Sequence, residues 1–302
     1  MSHRYSGAFP VLPTTFDEAG NLDTESQLRA VDFFLESGVD GFTILANYSE
    51  QFSLSDAERE TLTRLILRHT DGKVPVIVTT THYSTRVAAE RSRQAQDLGA
   101  AMVMLMPPFH GTIRADEGAI AEFFKGVAEA IQIPIMIQDA PVSGVTLSAP
   151  FLARLATEIP NVTYFKIEVP GTTVKIRDLI RLAGTSIDGA FDGEEGITLI
   201  HDLGAGATGT IPGGMIPDLL GDIVRLYLAG QVDEATARYE RVLPLLNYEN
   251  KVCGLRATKA LLKEAGIIRC EACRAPYTAC LPSEVRSGLI DIARRLKVRA
   301  LS

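Results

Sequence analysis

Short apolar runs rich in β-branched residues recur along the chain at residues 7–13, 41–45, 74–80, 101–106, 134–137, 162–167, 186–191 and 207–211. Each reads as a buried strand, because the runs are too short for helices and are bounded by turn-forming residues. Between them the period changes to that of an amphipathic helix. Leu28, Val31 and Leu35 share one helical face, and Ser55-Asp56-Ala57-Glu58 has the form of a capping box. Further helices are predicted over residues 84–98, 117–131, 149–158, 174–182, 194–203 and 217–228. Eight such alternations are the sequence form of an α/β, (β/α)8 TIM barrel, with a doubly wound sheet as the alternative. No linker rich in Gly, Pro or Ser splits this region, so residues 1–228 are expected to form one barrel domain. Beyond it the strands stop. Residues 233–243, 255–264 and 283–296 are amphipathic, which predicts a C-terminal three-helix region over 229–302 that covers the barrel or supplies an oligomer interface.

Composition narrows the partners. The chain has 302 residues, 46% of them hydrophobic and 22% charged, with a net charge of −7, and its basic residues are scattered singly. Nucleic acid and anionic membrane surfaces are therefore not expected partners. No apolar leader precedes the first strand and no run of eighteen apolar residues occurs, so a cytoplasmic protein is expected. Cys253, Cys270, Cys273 and Cys280 all fall near the C-terminus. Only one Cys-x-x-Cys is present, with no second pair or His-x-x-x-His to complete a tetrahedral set, so reduced thiols are expected rather than a metal site.

One residue breaks the strand pattern. Lys166 lies inside Val162-Thr-Tyr-Phe-Lys-Ile167, whereas Lys73, Lys125, Lys175, Lys251, Lys259, Lys263 and Lys297 fall in segments where an ammonium is expected to reach water. A lysine buried in a strand must be paired or give up its proton. Neutral, it is a nucleophile toward carbonyls, a form only about one exposed lysine in 2,500 holds at neutral pH. The plainer alternative is a structural pair with Glu168, two residues along on the same strand face.

In a barrel of this kind the site lies at the C-terminal ends of the strands. Those ends are polar here: Ala46-Asn47-Tyr48-Ser49-Glu50, Thr79-Thr-Thr-His82-Tyr83-Ser-Thr85, Pro107-Pro-Phe-His110-Gly111, Gln138-Asp-Ala-Pro141, Glu168, Asp192-Gly-Glu-Glu195 and the glycine-rich stretch 206–214. Their order and spacing resemble the dihydrodipicolinate synthase and N-acetylneuraminate lyase family of pyruvate-type class I aldolases over nearly the whole chain. The family's Gly-[Ser/Thr]-Thr-Gly-Glu loop corresponds to residues 46–50, its Schiff-base lysine motif to Phe165-Lys166-Ile167-Glu168, and its late glycine motif to residues 206–211.

The resemblance implies a (β/α)8 barrel with C-terminal helices, usually a homotetramer, whose Lys166 condenses with the ketone of a 2-oxo acid and needs no cofactor beyond that iminium and no metal. Departures from the family bear on the substrate. The fifth-strand tyrosine is replaced by Gln138, whose amide is no general base near neutral pH. The second-strand loop carries Asn47, Tyr48 and Ser49 in place of small and hydroxyl residues, and His110 stands where synthases carry a tyrosine. The pattern looks like a branch that dehydrates a 2-keto-3-deoxy sugar acid, a small anionic substrate. By the resemblance Lys166 forms the iminium, and from strand-end position and residue type Tyr48, or a water held by Gln138 and Ser49, is expected to serve the proton transfers. Asn47, Ser49, His82, Tyr83, His110, Gln138, Glu168, Asp192 and Ile211 bind substrate. Retro-aldol cleavage to pyruvate and an aldehyde is the nearest alternative, and a non-catalytic 2-oxo-acid-binding regulator is one of another class.

Overall fold

The computed structural model describes residues 5–110, 113–277 and 280–301. Its fold is the expected (β/α)8 barrel followed by C-terminal helices. Among the described residues one parallel sheet holds eight strands: β1 (Gly7–Ala8), β2 (Phe42–Ile44), β3 (Val76–Thr79), β4 (Met102–Leu105), β5 (Ile135–Asp139), β6 (Val162–Ile167), β7 (Gly189–Asp192) and β8 (Gly209–Thr210). The intervening helices are α1 (Thr24–Glu36), α2 (Asp56–Thr70), α3 (Thr85–Asp97), α4 (Glu117–Ala128), α5 (Ala149–Glu158), α6 (Thr172–Ala183), α7 (Leu199–Gly204) and α8 (Pro217–Leu228). The C-terminal helices are α9 (Val232–Tyr248), α10 (Arg256–Glu264) and α11 (Ser283–Leu296).

The chain clusters into two compact units. One holds Pro75–Glu194 and Thr198–Thr210, and within it β3 to β8 lie side by side in parallel. Its center is apolar: Met104, Leu105, Ile137, Tyr164, Phe165 and Phe191 are all fully buried. Burying each such side chain contributes about 1.5–3 kcal/mol. The other unit holds Gly7–Val74, Glu195–Ile197 and Ile211–Ser302, and in it the parallel bridge Val11↔Thr43 joins the segment after β1 to β2.

Where elements depart from expectation, the backbone supplies the reason. The first strand is regular only over Gly7–Ala8, because Pro10 and Pro13 have no N–H to give to a ladder; the chain beyond stays buried, with Val11 and Leu12 donating to Pro212 and Thr43 carbonyls. The helix expected from residue 194 starts at Leu199, since Glu195 (φ 53°) and Gly196 (φ 85°) hold left-handed conformations that no helix accepts. In the last region α9 runs through Pro244 and ends in a π-helical turn, Glu249–Cys253.

The capping box forms as expected. The Ser55 hydroxyl accepts the Glu58 N–H, and the Glu58 carboxylate accepts the Ser55 N–H at 2.9 Å. Arg274 adds a two-pronged grip on Glu58 at 2.7 and 2.9 Å, and this guanidinium, with help from Ser55, pulls the Glu58 carboxyl down to about 2. A depressed carboxyl stabilises the fold above its ordinary pKa near 4.5, and the contribution is lost as pH falls through about 2. Glu58→Gln is therefore expected to cost about 1 kcal/mol at neutral pH, solvent screening keeping it that small. In urea titrations the gap to wild type should close as pH is lowered to about 2; a gap that persists there would assign the loss to packing.

Candidate active site

Lys166 sits on β6 with its side chain only 6% exposed, flanked in register by Gln138 of β5 and Phe191 of β7. Its ammonium nitrogen lies 2.5 Å from Oε1 of Glu168, itself 14% exposed. Gln138 Nε2 donates to the same oxygen at 2.7 Å. A carboxylate only accepts, so this contact fixes which end of the Gln138 amide faces it. The other end, Oε1, is buried and has no hydrogen-bond partner among the described residues. A buried acceptor left in this state calls for a donor from a ligand or water.

Backbone geometry brings the trio together. The Glu168 N–H donates to the Asp139 carbonyl at 2.9 Å, and the Gly193 N–H to the Ile167 carbonyl at 3.0 Å. A Cβ on Gly193 would stand 2.4 Å from Glu168 Cγ and 2.8 Å from Lys166 Cγ, so only glycine lets β7 end this close to the pair. Asp139 points to the opposite strand face, where it is ion-paired with Lys175 and accepts the Leu147 N–H at 3.1 Å.

The structure corrects the role expected of Asp192. Residue 192 registers with Ile167, one position beyond the Lys166–Phe191 pair, and alternation puts it on the other face of the sheet. There its carboxylate is fully buried and accepts the Thr210 hydroxyl at 2.5 Å. After β3, His82 and Tyr83 stack at 4.2 Å between centroids, Tyr83 being 51% exposed. Nδ1 of His82 accepts the Ser84 N–H at 3.0 Å, which places the proton of a neutral ring on Nε2. That loop is fastened to α3 by Arg91, which donates to the Thr81 carbonyl at 2.7 Å. The His110 side chain lies outside the described residues.

In the second unit, the loop after β2 starts on a strained residue: Leu45 has φ 56°, which a branched side chain rarely adopts. Asn47–Ser49 and Gln51–Ser53 then form short 3₁₀ turns. Ser49 is buried and its hydroxyl donates to the Leu12 carbonyl at 2.6 Å, so its proton is committed to the scaffold rather than to a substrate. Asn47 Oδ1 accepts from Gln51 Nε2 at 2.6 Å, and both Asn47 and Tyr48 are half-buried. Ile211 is buried at the head of the glycine turn.

Glu50 closes the loop in a left-handed conformation, φ 58°. It is fully buried and ion-paired with Lys259 of α10, also fully buried. This overturns the expectation that Lys259 reaches water. Lys259 further donates to the Ala272 carbonyl at 3.0 Å and lies 4.6 Å over the Phe16 ring, while the Arg274 N–H reaches Glu50 Oε2 at 2.7 Å. Gly193, Glu50 and Lys259 were not singled out from the sequence; only the Glu at the end of the loop motif pointed toward one of them.

All four cysteines are free thiols, and burial pushes Cys253 up to about 11 and Cys273 up to about 12. Among the described residues no group of three or more His, Cys, Asp or Glu side chains is placed to hold a metal ion, and no helix is long and apolar enough to cross a membrane.

A model of the dihydrodipicolinate synthetase family matches residues 4–292. The chain is 56% identical over 294 residues to the L-2-keto-3-deoxyarabonate dehydratase of Azospirillum brasilense, covering 97% of this chain and 95% of that one. It is 30% identical over 249 residues to a 4-hydroxy-tetrahydrodipicolinate synthase of Pelobacter propionicus, 82% of each chain. The fold superposes on the crystal structure of dihydrodipicolinate synthase from Rhodopseudomonas palustris with a TM-score of 0.88, at 29% identity over 98% of this chain and 99% of that one.

Proposed function

The chain belongs to the dihydrodipicolinate synthetase family, and from that premise we propose that it is a Schiff-base hydro-lyase converting L-2-keto-3-deoxyarabonate to 2-oxoglutarate semialdehyde. What carries this reading is the similarity to the Azospirillum brasilense dehydratase along nearly all of both chains. The trio of Lys166, Glu168 and Gln138 gives it a chemical basis.

Lys166 attacks the C2 ketone, water leaves, and an iminium remains. The attack needs a free amine, and Glu168, already hydrogen-bonded to Nζ, takes the ammonium proton as the amine engages. The iminium draws electrons from C3; a base removes a C3 proton, and the resulting enamine expels the C4 hydroxyl, which takes a proton and departs as water. Loss of a C5 proton from the unsaturated iminium and return of a proton to each of C3 and C4, with the C5 hydroxyl becoming the aldehyde, restore the saturated iminium. Hydrolysis frees Lys166, so the net change is loss of one water and no redox partner or cofactor is required. Glu168 is the group beside the amine and serves these transfers; Gln138 transfers no proton but fixes the Glu168 carboxylate and offers its unpaired Oε1 to a substrate hydroxyl or water.

Asn47 and Tyr48 receive the C1 carboxylate in this reading, and His82, Tyr83 and His110 the hydroxyls. The barrel domain over residues 1–228, the C-terminal region over 229–302 and a homotetrameric assembly are proposed with it, the last testable by light scattering. Identification of the product tests the function: semialdehyde without pyruvate is expected, whereas pyruvate with glycolaldehyde would mean cleavage of the C3–C4 bond instead. Glu168→Gln keeps the size of the side chain and removes its basicity, so kcat should fall by about 10²-fold or more. A kcat within about threefold of wild type would move proton transfer to another group.

A further inference from the structure

Glu249 is a titratable side chain that the chemistry above leaves unused, in a setting hard to explain as packing alone. It opens the π-helical turn Glu249–Cys253, a rare conformation that recurs at functional sites, with the Gly254 N–H closing onto its carbonyl at 2.7 Å. Its side chain is 1% exposed, and Oε1 has no hydrogen-bond partner among the described residues. That oxygen is pressed against the glycine turn: a Cβ on Gly213 would lie 2.1 Å from Oε1 and 3.0 Å from Oε2. The next residue is held from the same C-terminal region, the Gly214 N–H donating to the Thr258 hydroxyl at 3.1 Å. In the turn from Ile211 to Gly214, Gly213 is thus packed closely by Glu249 and Gly214 is hydrogen-bonded to Thr258.

We infer that Glu249 is a positioning residue that, packed against Gly213 as a neutral carboxylic acid, holds this glycine turn in its working shape. Glu195 stands in a left-handed conformation and receives the Asn250 side-chain amide. An ionised Glu249 would leave an uncompensated charge in a fully buried place, with the Glu195 carboxylate adding like-charge repulsion. Burial first and the Glu195 charge second push the Glu249 carboxyl well above its ordinary value. The other groups near it do not offset this. Cys253, in the same turn, is an un-ionised thiol, and Arg256 of α10 acts on Cys253; no ion pair to Glu249 occurs among the described residues.

A raised carboxyl stabilises the fold fully below the ordinary pKa near 4.5, and the contribution is lost as pH rises through the folded value. The alkaline limb of activity should then report Glu249 ionising and the turn loosening. The inference rests on the proposed dehydratase reading, because activity is one of its readouts.

Glu249→Gln imitates the neutral acid and cannot ionise. Its kcat/KM should stay within about threefold of wild type at neutral pH, and its alkaline limb should move up by about one pH unit or more. In the infrared, wild-type protein at neutral pH should show the C=O stretch of a protonated carboxylic acid that the variant lacks. The band is followed in wild type through the alkaline limb as well, so an unstable variant leaves the test intact. Superimposable pH profiles, a folded variant inactive at neutral pH, or absence of the protonated-acid band in wild type would each overturn the inference. Borohydride trapping with pyruvate separates the two failures: wild type that is not trapped sinks the Schiff-base reading, and trapping in both proteins with unchanged profiles sinks only the role of Glu249.

Discussion

Replacing Lys166 by alanine should abolish turnover, by about 10⁴-fold or more, the order seen when a catalytic nucleophile is removed. Without the amine no iminium forms, and C3 then loses the electron sink on which both deprotonation and departure of the C4 hydroxyl depend. No neighbour substitutes for it, because Gln138 is an amide and Glu168 forms no imine. The variant also leaves Glu168 without its cation at a nearly buried site, and breaking a buried pair from one side costs up to about 3–5 kcal/mol. Part of that penalty is avoidable, since the Gln138 hydrogen bond to Glu168 remains. Lys166→Met combined with Glu168→Gln removes the orphaned charge and keeps the aliphatic stem. Both variants should be inactive, with native circular dichroism, and the double variant should melt nearer wild type. Residual turnover within about tenfold of wild type in a folded Lys166→Ala protein would remove covalent catalysis from the mechanism.

The largest effect on stability is expected at Lys259. Lys259→Met leaves Glu50 fully buried without its counter-ion, although the Arg274 N–H still donates to it, and should cost about 3–5 kcal/mol in urea unfolding. The same change should raise KM more than it lowers kcat, because Glu50 ends the turn that carries Asn47 and Tyr48 and holds its own strained backbone through this pair. Lys259→Met with Glu50→Leu removes both charges; it should recover much of the stability and little of the substrate affinity. A single-variant loss below about 1 kcal/mol would mean that Glu50 finds water or another donor.

The two lysines also show what a sequence reveals and what it hides. Lys166 was legible because a strand has period two and a six-residue apolar run leaves a cation nowhere to go; Glu168 was legible as its partner from spacing alone. Lys259 was not, because its helix looks amphipathic and its partner lies 209 residues away along the chain. Asp192 was assigned to the pocket by its place at the end of a strand, yet strand register decides the face, and one residue of offset reverses it. Ser49 has the right residue type for a substrate contact but spends its proton on Leu12. The fold came through more completely, since eight alternating periods survive errors at element ends; what shifted were strands bounded by proline and one helix start delayed by left-handed residues.

Reduction with borohydride in the presence of L-2-keto-3-deoxyarabonate or pyruvate, followed by peptide mass spectrometry, is the most direct measurement. Covalent attachment of the 2-oxo acid at Lys166 alone, absent from Lys166→Ala, is the predicted result. Attachment at a different lysine, or none while the substrate is being consumed, would contradict the account.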